Sequence, residues 1–238
     1  MKLTNLKSQI PDVFRQFCLS LAILTFFTVT IFAQEQPPKP SAPRSATIPQ
    51  PQERTLKNGL RVIAVQTKNV PLVTASLMIK SGGEVDPANL AGAADMTAAL
   101  LTKGTKTRTA PQIAQEIEFL GGSLNSDAGW DASEVTVRVM SDKLDKALAI
   151  VADTVINPTF AQAEINRYKT QTLDELSVNL KQPGNLAAYV ANNVVFEKEA
   201  YGHLLGGTPE SIARIKRLDL VNLHQKYYVP NNAVLVIA

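Results

Sequence analysis

Asn89 to Thr105 reads NLAGAADMTAALLTKGT, a helix-forming run that leads into a tight turn at Lys103-Gly104-Thr105. It holds one acidic side chain, Asp95, and neither histidine nor cysteine. A single carboxylate can cap a helix or pair with a cation, whereas a catalytic zinc takes three protein ligands and an open position. Other candidates are sparse. His203 and His224 are the only histidines, twenty-one residues apart, one in a loop and one in a helix, and neither has a partner at ligand spacing. Imidazole is a capable general base, but only where a second group orients it. The serines form no G-x-S-x-G turn and no S-x-x-K pair. Trp130, between Asp127 and Asp131, falls at a hairpin turn, where it is either a contact residue or a structural one.

The elements that must position these residues follow from the apolar spacing. Leu60 to Val65 and Val73 to Ile79 read as strands, the second with Val73, Ala75, Leu77 and Ile79 on one face. Ala91 to Leu101 and Pro111 to Leu120 read as helices, the second with Thr109 just upstream and a proline in its first turn. Gly121 and Gly122 end that helix. Ser123 to Ala128 and Ala132 to Met140 form a hairpin whose second arm sets Val135, Val137 and Val139 opposite Glu134, Thr136 and Arg138. Asp142 to Val155 is a helix with a core-facing stripe of Leu144, Leu148, Val151 and Val155. Helices over 162–180, 184–196, 209–215 and 218–228 follow, and Ala233 to Ile237 is a closing strand. Strands separated by helical pairs predict an α+β unit, a mainly antiparallel sheet covered by helices on one face.

The N-terminal part has a different composition. Lys2, Lys7 and Arg15 precede the apolar run Phe17 to Ala33, and polar QEQPP follows, the layout of a secretory signal over residues 1–33. The same run, if uncleaved, is a membrane anchor over residues 17–33. Both readings export the chain, to a periplasmic or extracellular location. Residues 34–53 hold six prolines and read as an extended linker, so a single folded domain is expected over 54–238. Cys18, the only cysteine, lies inside the apolar run, so the exported part has no disulfide and no thiol chemistry. The formal net charge of +3 falls to about +1 without residues 1–33, and no basic-aromatic patch marks a nucleic-acid partner.

Four segments together resemble the N-terminal unit of the M16 (insulinase, pitrilysin and mitochondrial-processing-peptidase-like) metallopeptidase family. They are IKSGGEVDPANLAGAADMTAALLTKGT, EIEFLGGSLNSDAGWDASEVTVRV, EAYGHLLGGTPESIARI and YYVPNNAVLVIA. The resemblance covers Arg54 to Ala238 and implies the LuxS/MPP-like metallohydrolase fold. Active members carry H-x-x-E-H in the first segment, two histidines one helical turn apart for zinc and a glutamate for the attacking water. Anchored on Lys103-Gly104-Thr105, the first histidine position falls on Asp95, the glutamate on Ala98 and the second histidine on Ala99. The third zinc ligand corresponds to Glu175, which is either a relic of the site or an ordinary surface carboxylate, and a supporting acidic position falls on Tyr168.

The resemblance therefore implies a catalytically silent member, with no catalytic residue, no metal and no cofactor expected in this chain. In that reading zinc belongs to a zinc-bearing M16 partner subunit, with which a heterodimer forms, and this chain helps to form the chamber or bind extended peptides. The family's edge strand maps to Ser123, Leu124, Asn125, Ser126 and Asp127, where a peptide would add through main-chain hydrogen bonds. Two other readings stay open: a zinc peptidase with atypical ligands, and a truncated scaffold without activity. The abrupt end of the last strand at Ala238 favours an expectation of further sequence beyond it.

Overall fold

The computed structural model describes Gln16, residues 49–67 and residues 70–238. The chain divides into two compact units, residues 1–47 and 48–238, and the second contains the β-sheet. The apolar run 17–33 and the linker up to residue 48 lie outside the described residues. Among the described residues no helix is long and apolar enough to cross a membrane.

The fold is α+β, with one mixed, mostly antiparallel six-stranded sheet. Its strands are β1 (Gln52–Thr55), β2 (Arg61–Ala64), β3 (Leu72–Ile79), β4 (Ser123–Ala128), β5 (Ser133–Met140) and β6 (Ala233–Ile237), in the order β1-β2-β6-β3-β5-β4. Only β2 and β6 run parallel. The period-2 pattern of β5 explains its central place: Val135, Val137 and Val139 are buried, and they pair with Leu77, Ala75 and Val73 of β3. The opposite face is polar. There the Glu134 carboxylate accepts from the Ser76 and Thr136 hydroxyls, and Arg138 donates to Thr74.

Seven helices complete the unit: α1 (Ala93–Leu100), α2 (Ala110–Phe119), α3 (Leu144–Ile156), α4 (Gln162–Asn179), α5 (Pro183–Phe196), α6 (Pro209–Arg214) and α7 (Arg217–Tyr227). Pro111 sits in the first turn of α2 with Thr109 just upstream, as the sequence predicts, and the structure adds a capping box between Thr109 and Gln112. Met96, Leu100, Ile113, Ile117, Ile150 and Leu220 pack with β5 in one core.

Two details differ from the sequence reading, and a third goes beyond it. β1 takes in Gln52 and Glu53, assigned above to the linker; its four residues are all exposed and carry no apolar period that could reveal a strand. On α3 the buried stripe is Ala147, Ile150, Val151, Thr154 and Val155, while Leu144 and Leu148 are only half-covered. The closing strand β6 is inserted between β2 and β3, so it is paired on both sides.

Candidate functional site

The degenerate motif lies on α1, an eight-residue helix whose position is fixed at three points. At its start the Asp86 carboxylate accepts from the backbone N–H groups of Gly92 and Ala94, both at 2.8 Å. Gly92 enters the helix at φ +93°, and a Cβ there would lie 2.8 Å from the Gly206 carbonyl oxygen, so only glycine fits this entry. Further along, the Ser126 hydroxyl of β4 donates to the Ala98 carbonyl at 2.7 Å, tying the helix to the sheet.

The third tie is at the site itself. Asp95 and Ala99, four residues apart, share the half-buried face of α1, and Ala98 is fully buried. α4 runs past this face, and its Tyr168 hydroxyl donates to Asp95 Oδ2 at 2.7 Å. Burial raises the Asp95 carboxyl above the ordinary carboxylate range; the Tyr168 hydrogen bond opposes this, and the negative charges of Asp127 and Glu175 add to it. Burial likewise raises the Tyr168 phenol, and the adjacent Asp95 raises it further. Tyr168 therefore stays a hydrogen-bond donor at any physiological pH.

This donor set does not fit a zinc ion. Two of the three motif positions end in methyl groups, and the third is a carboxylate whose Oδ2 already accepts the Tyr168 phenol. Among the described residues no group of three or more His, Cys, Asp or Glu side chains could hold a metal ion. Glu175, on the exposed surface of α4, acts on Asp95 only through its charge. The histidines are engaged elsewhere. The His203 ring nitrogens face the Leu204 and Gly83 carbonyl oxygens at 2.9 and 3.1 Å, and its ring lies against Trp130. His224 Nε2 is 2.7 Å from the Val155 carbonyl, its ring stacks on Tyr228, and burial lowers its pKa.

Trp130 packs between Tyr201 and His203, and Asp131 accepts from the Tyr201 hydroxyl, which is the structural assignment for that turn. β4 is the outer strand of the sheet, paired with β5 alone among the described strands. Ser123, Asn125 and Asp127 are exposed along it, with Leu124 and Ser126 half-buried. A cavity of about 360 Å³ opens beside its first residues, lined in part by Ile113, Ile117, Leu124, Lys103 and Arg167.

The family comparison is decisive here: Insulinase (Peptidase family M16) matches residues 61–208. The chain belongs to the M16 peptidase family. An uncharacterized zinc protease of Rickettsia bellii is 34% identical over 183 residues, 77% of this chain and 44% of the relative. A probable mitochondrial-processing peptidase subunit beta of Arabidopsis thaliana is 26% identical over 190 residues, 80% of this chain and 36% of that protein. The M16 chain thus spans less than half the length of these curated relatives. Among solved structures, the peptidase M16 inactive domain from Pseudomonas fluorescens superposes with a TM-score of 0.76 at 28% identity, over 79% of this chain and 46% of that one. A protease from Helicobacter pylori shares the fold with a TM-score of 0.76 at 23% identity, over 80% and 46% of the two chains.

Proposed function

We propose that this M16 chain is a catalytically silent, exported homologue that acts as the peptide-binding or chamber-forming partner of a zinc-bearing M16 subunit. One observation carries the reading: the helix face that would present two imidazoles presents Asp95 and Ala99, and Asp95 is bonded to Tyr168. A carboxylate engaged in this way, beside two alanines, supplies neither the ligand count nor the general base that zinc hydrolysis requires. The likeness to an M16 inactive domain supports the same conclusion. Peptide engagement rests on β4, an outer strand tied directly to α1 by Ser126.

The test is to purify this chain together with a zinc-bearing M16 subunit from the same organism. Co-elution, with peptide cleavage only in the mixture, supports the reading; separate elution with no gain of activity contradicts it.

A second reading is favoured by the relatives named zinc proteases, namely a zinc peptidase using Asp95 and Glu175 with atypical further ligands. It requires Tyr168 to leave Asp95, and stoichiometric zinc that is lost in Glu175→Ala.

A further inference from the structure

Residues 203–207, between α5 and α6, form a strap across the start of α1. Both ends of the strap are anchored. Asn193 of α5 donates to the Gly202 carbonyl at 3.0 Å, and the buried Ser211 hydroxyl of α6 donates to the Ala91 carbonyl at 2.8 Å. The middle lies close against α1. A Cβ on Gly207, at φ +82°, would fall 2.3 Å from the Ala91 carbonyl oxygen, and one on Gly206 would fall 4.0 Å from Asp95 Oδ2. The strap therefore borders the degenerate motif itself.

One side chain fastens it. His203 Nε2 faces the Gly83 carbonyl oxygen at 3.1 Å, and Nδ1 faces the Leu204 carbonyl oxygen at 2.9 Å. Both partners are acceptors only, whereas a neutral imidazole has one donor nitrogen and one lone pair. Only the doubly protonated ring donates to both. In the neutral ring one lone pair meets a carbonyl oxygen, and that contact becomes repulsive. The Trp130 ring, with its centroid 5.1 Å from that of the imidazole, gives the charged form a further partner.

The ionisable groups around the ring come from three other elements. Asp86, on the loop before α1, feels the His203 charge while its carboxylate accepts from the Gly92 and Ala94 N–H groups. Glu84, next to Gly83, accepts from the Gly82 N–H, and Asp131, on the hairpin turn, accepts from the Tyr201 hydroxyl. Asp95 lies beyond the strap on α1.

We propose that His203 is a pH-sensitive latch. As imidazolium it donates to the Gly83 and Leu204 carbonyls together and holds the strap down over the start of α1. As neutral imidazole it gives up one of these bonds, and the strap lifts beside Asp95. Imidazole exchanges its second proton within the range of about pH 5 to 8, so the latch closes on the acid side and opens as pH rises. The device goes beyond the silent-subunit reading and stands whether or not that reading does.

Amide hydrogen exchange of the purified chain, followed by NMR, reads the latch at Gly207, whose N–H donates to the Leu204 carbonyl at 2.8 Å. Corrected for intrinsic rates, Gly207 protection is expected to fall at least about tenfold between about pH 5.5 and about pH 8. Asp86→Asn is expected to keep this fall. His203→Gln is expected to abolish it, holding protection at the low value at both pH values, with unchanged circular dichroism. Ring nitrogen NMR of the wild type, assigned with His224→Gln, is expected to show both His203 nitrogens protonated at the acid end and one at the other. Protection that does not change with pH overturns the proposal, as does a fall that persists in His203→Gln or vanishes in Asp86→Asn. So does a wild-type ring that loses its proton with no change at Gly207, a result that needs no variant to fold.

Discussion

The Tyr168 hydroxyl and Asp95 Oδ2 lie 2.7 Å apart, joining α4 to α1 at the position that the resemblance aligns with the first histidine of H-x-x-E-H. The two residues are seventy-three positions apart in sequence. Their bond ties the two helices together directly.

Removing the donor tests that role. Tyr168→Phe leaves a buried carboxylate without its partner, and is expected to lower the unfolding free energy by about 1–3 kcal/mol in urea titrations. Asp95→Asn keeps an acceptor for the phenol and removes a charge that burial disfavours, so it should cost less than Tyr168→Phe. The reverse ranking would show that the contact contributes little.

Asp86 predicts an unusual pH dependence. Its carboxyl is pushed up to about 6, first by burial, against the Ala94 and Gly92 hydrogen bonds and the His203 charge that lower it, from an unfolded value near 3.8. Between these values the folded chain holds a proton that the unfolded chain has released. The stabilising contribution is therefore complete below about pH 4 and is lost as pH rises through about 6, a change of up to about 3 kcal/mol. Asp86→Asn should flatten this part of the profile in denaturant titrations at pH 4, 5, 6 and 7. A wild-type slope equal to that of Asp86→Asn would refute the assignment.

Asp153 works in the opposite direction. Burial raises its carboxyl, but hydrogen bonds from Thr105, Thr107, Arg108 and Asn157 together outweigh it and bring the pKa down to about 2. Its contribution is present above about pH 4 and falls away as pH drops toward 2. Asp153→Ala removes the acceptor on which all four groups converge, and about 3 kcal/mol of destabilisation is expected at neutral pH in thermal or urea unfolding.

If β4 receives peptides by strand addition, main-chain N–H groups of the peptide are essential. An extended peptide N-methylated at alternate residues should bind at least about tenfold more weakly in calorimetry than its unmethylated parent, since each such hydrogen bond contributes about 1 kcal/mol. Equal affinity would exclude that mode.

How much of this was legible in the sequence depends on the range of the interactions. The alternation of Val135, Val137 and Val139, and Thr109 with Pro111 at the start of α2, are local patterns, and both elements form at those residues. The alanines at 98 and 99 were likewise readable from one helical turn. β1 was invisible because QERT buries nothing. The insertion of β6 between β2 and β3 was also hidden, since pairing Val62 with Leu235 brings together residues far apart in the chain. Asp86 reaches α1 from six and eight residues away, beyond any capping spacing. The resemblance assigned Asp95 and Tyr168 to one site, but the hydrogen bond between them had no sequence signal and is shown only by the folded chain.

The central claim is that the α1 face offers a divalent ion no grip. Metal analysis of the purified chain after incubation with excess zinc and gel filtration, with peptide cleavage assayed on the same sample, tests it most directly. Well under one zinc per chain and no chelator-sensitive cleavage are expected. One zinc per chain with cleavage that a chelator abolishes, in the absence of any second subunit, would contradict it.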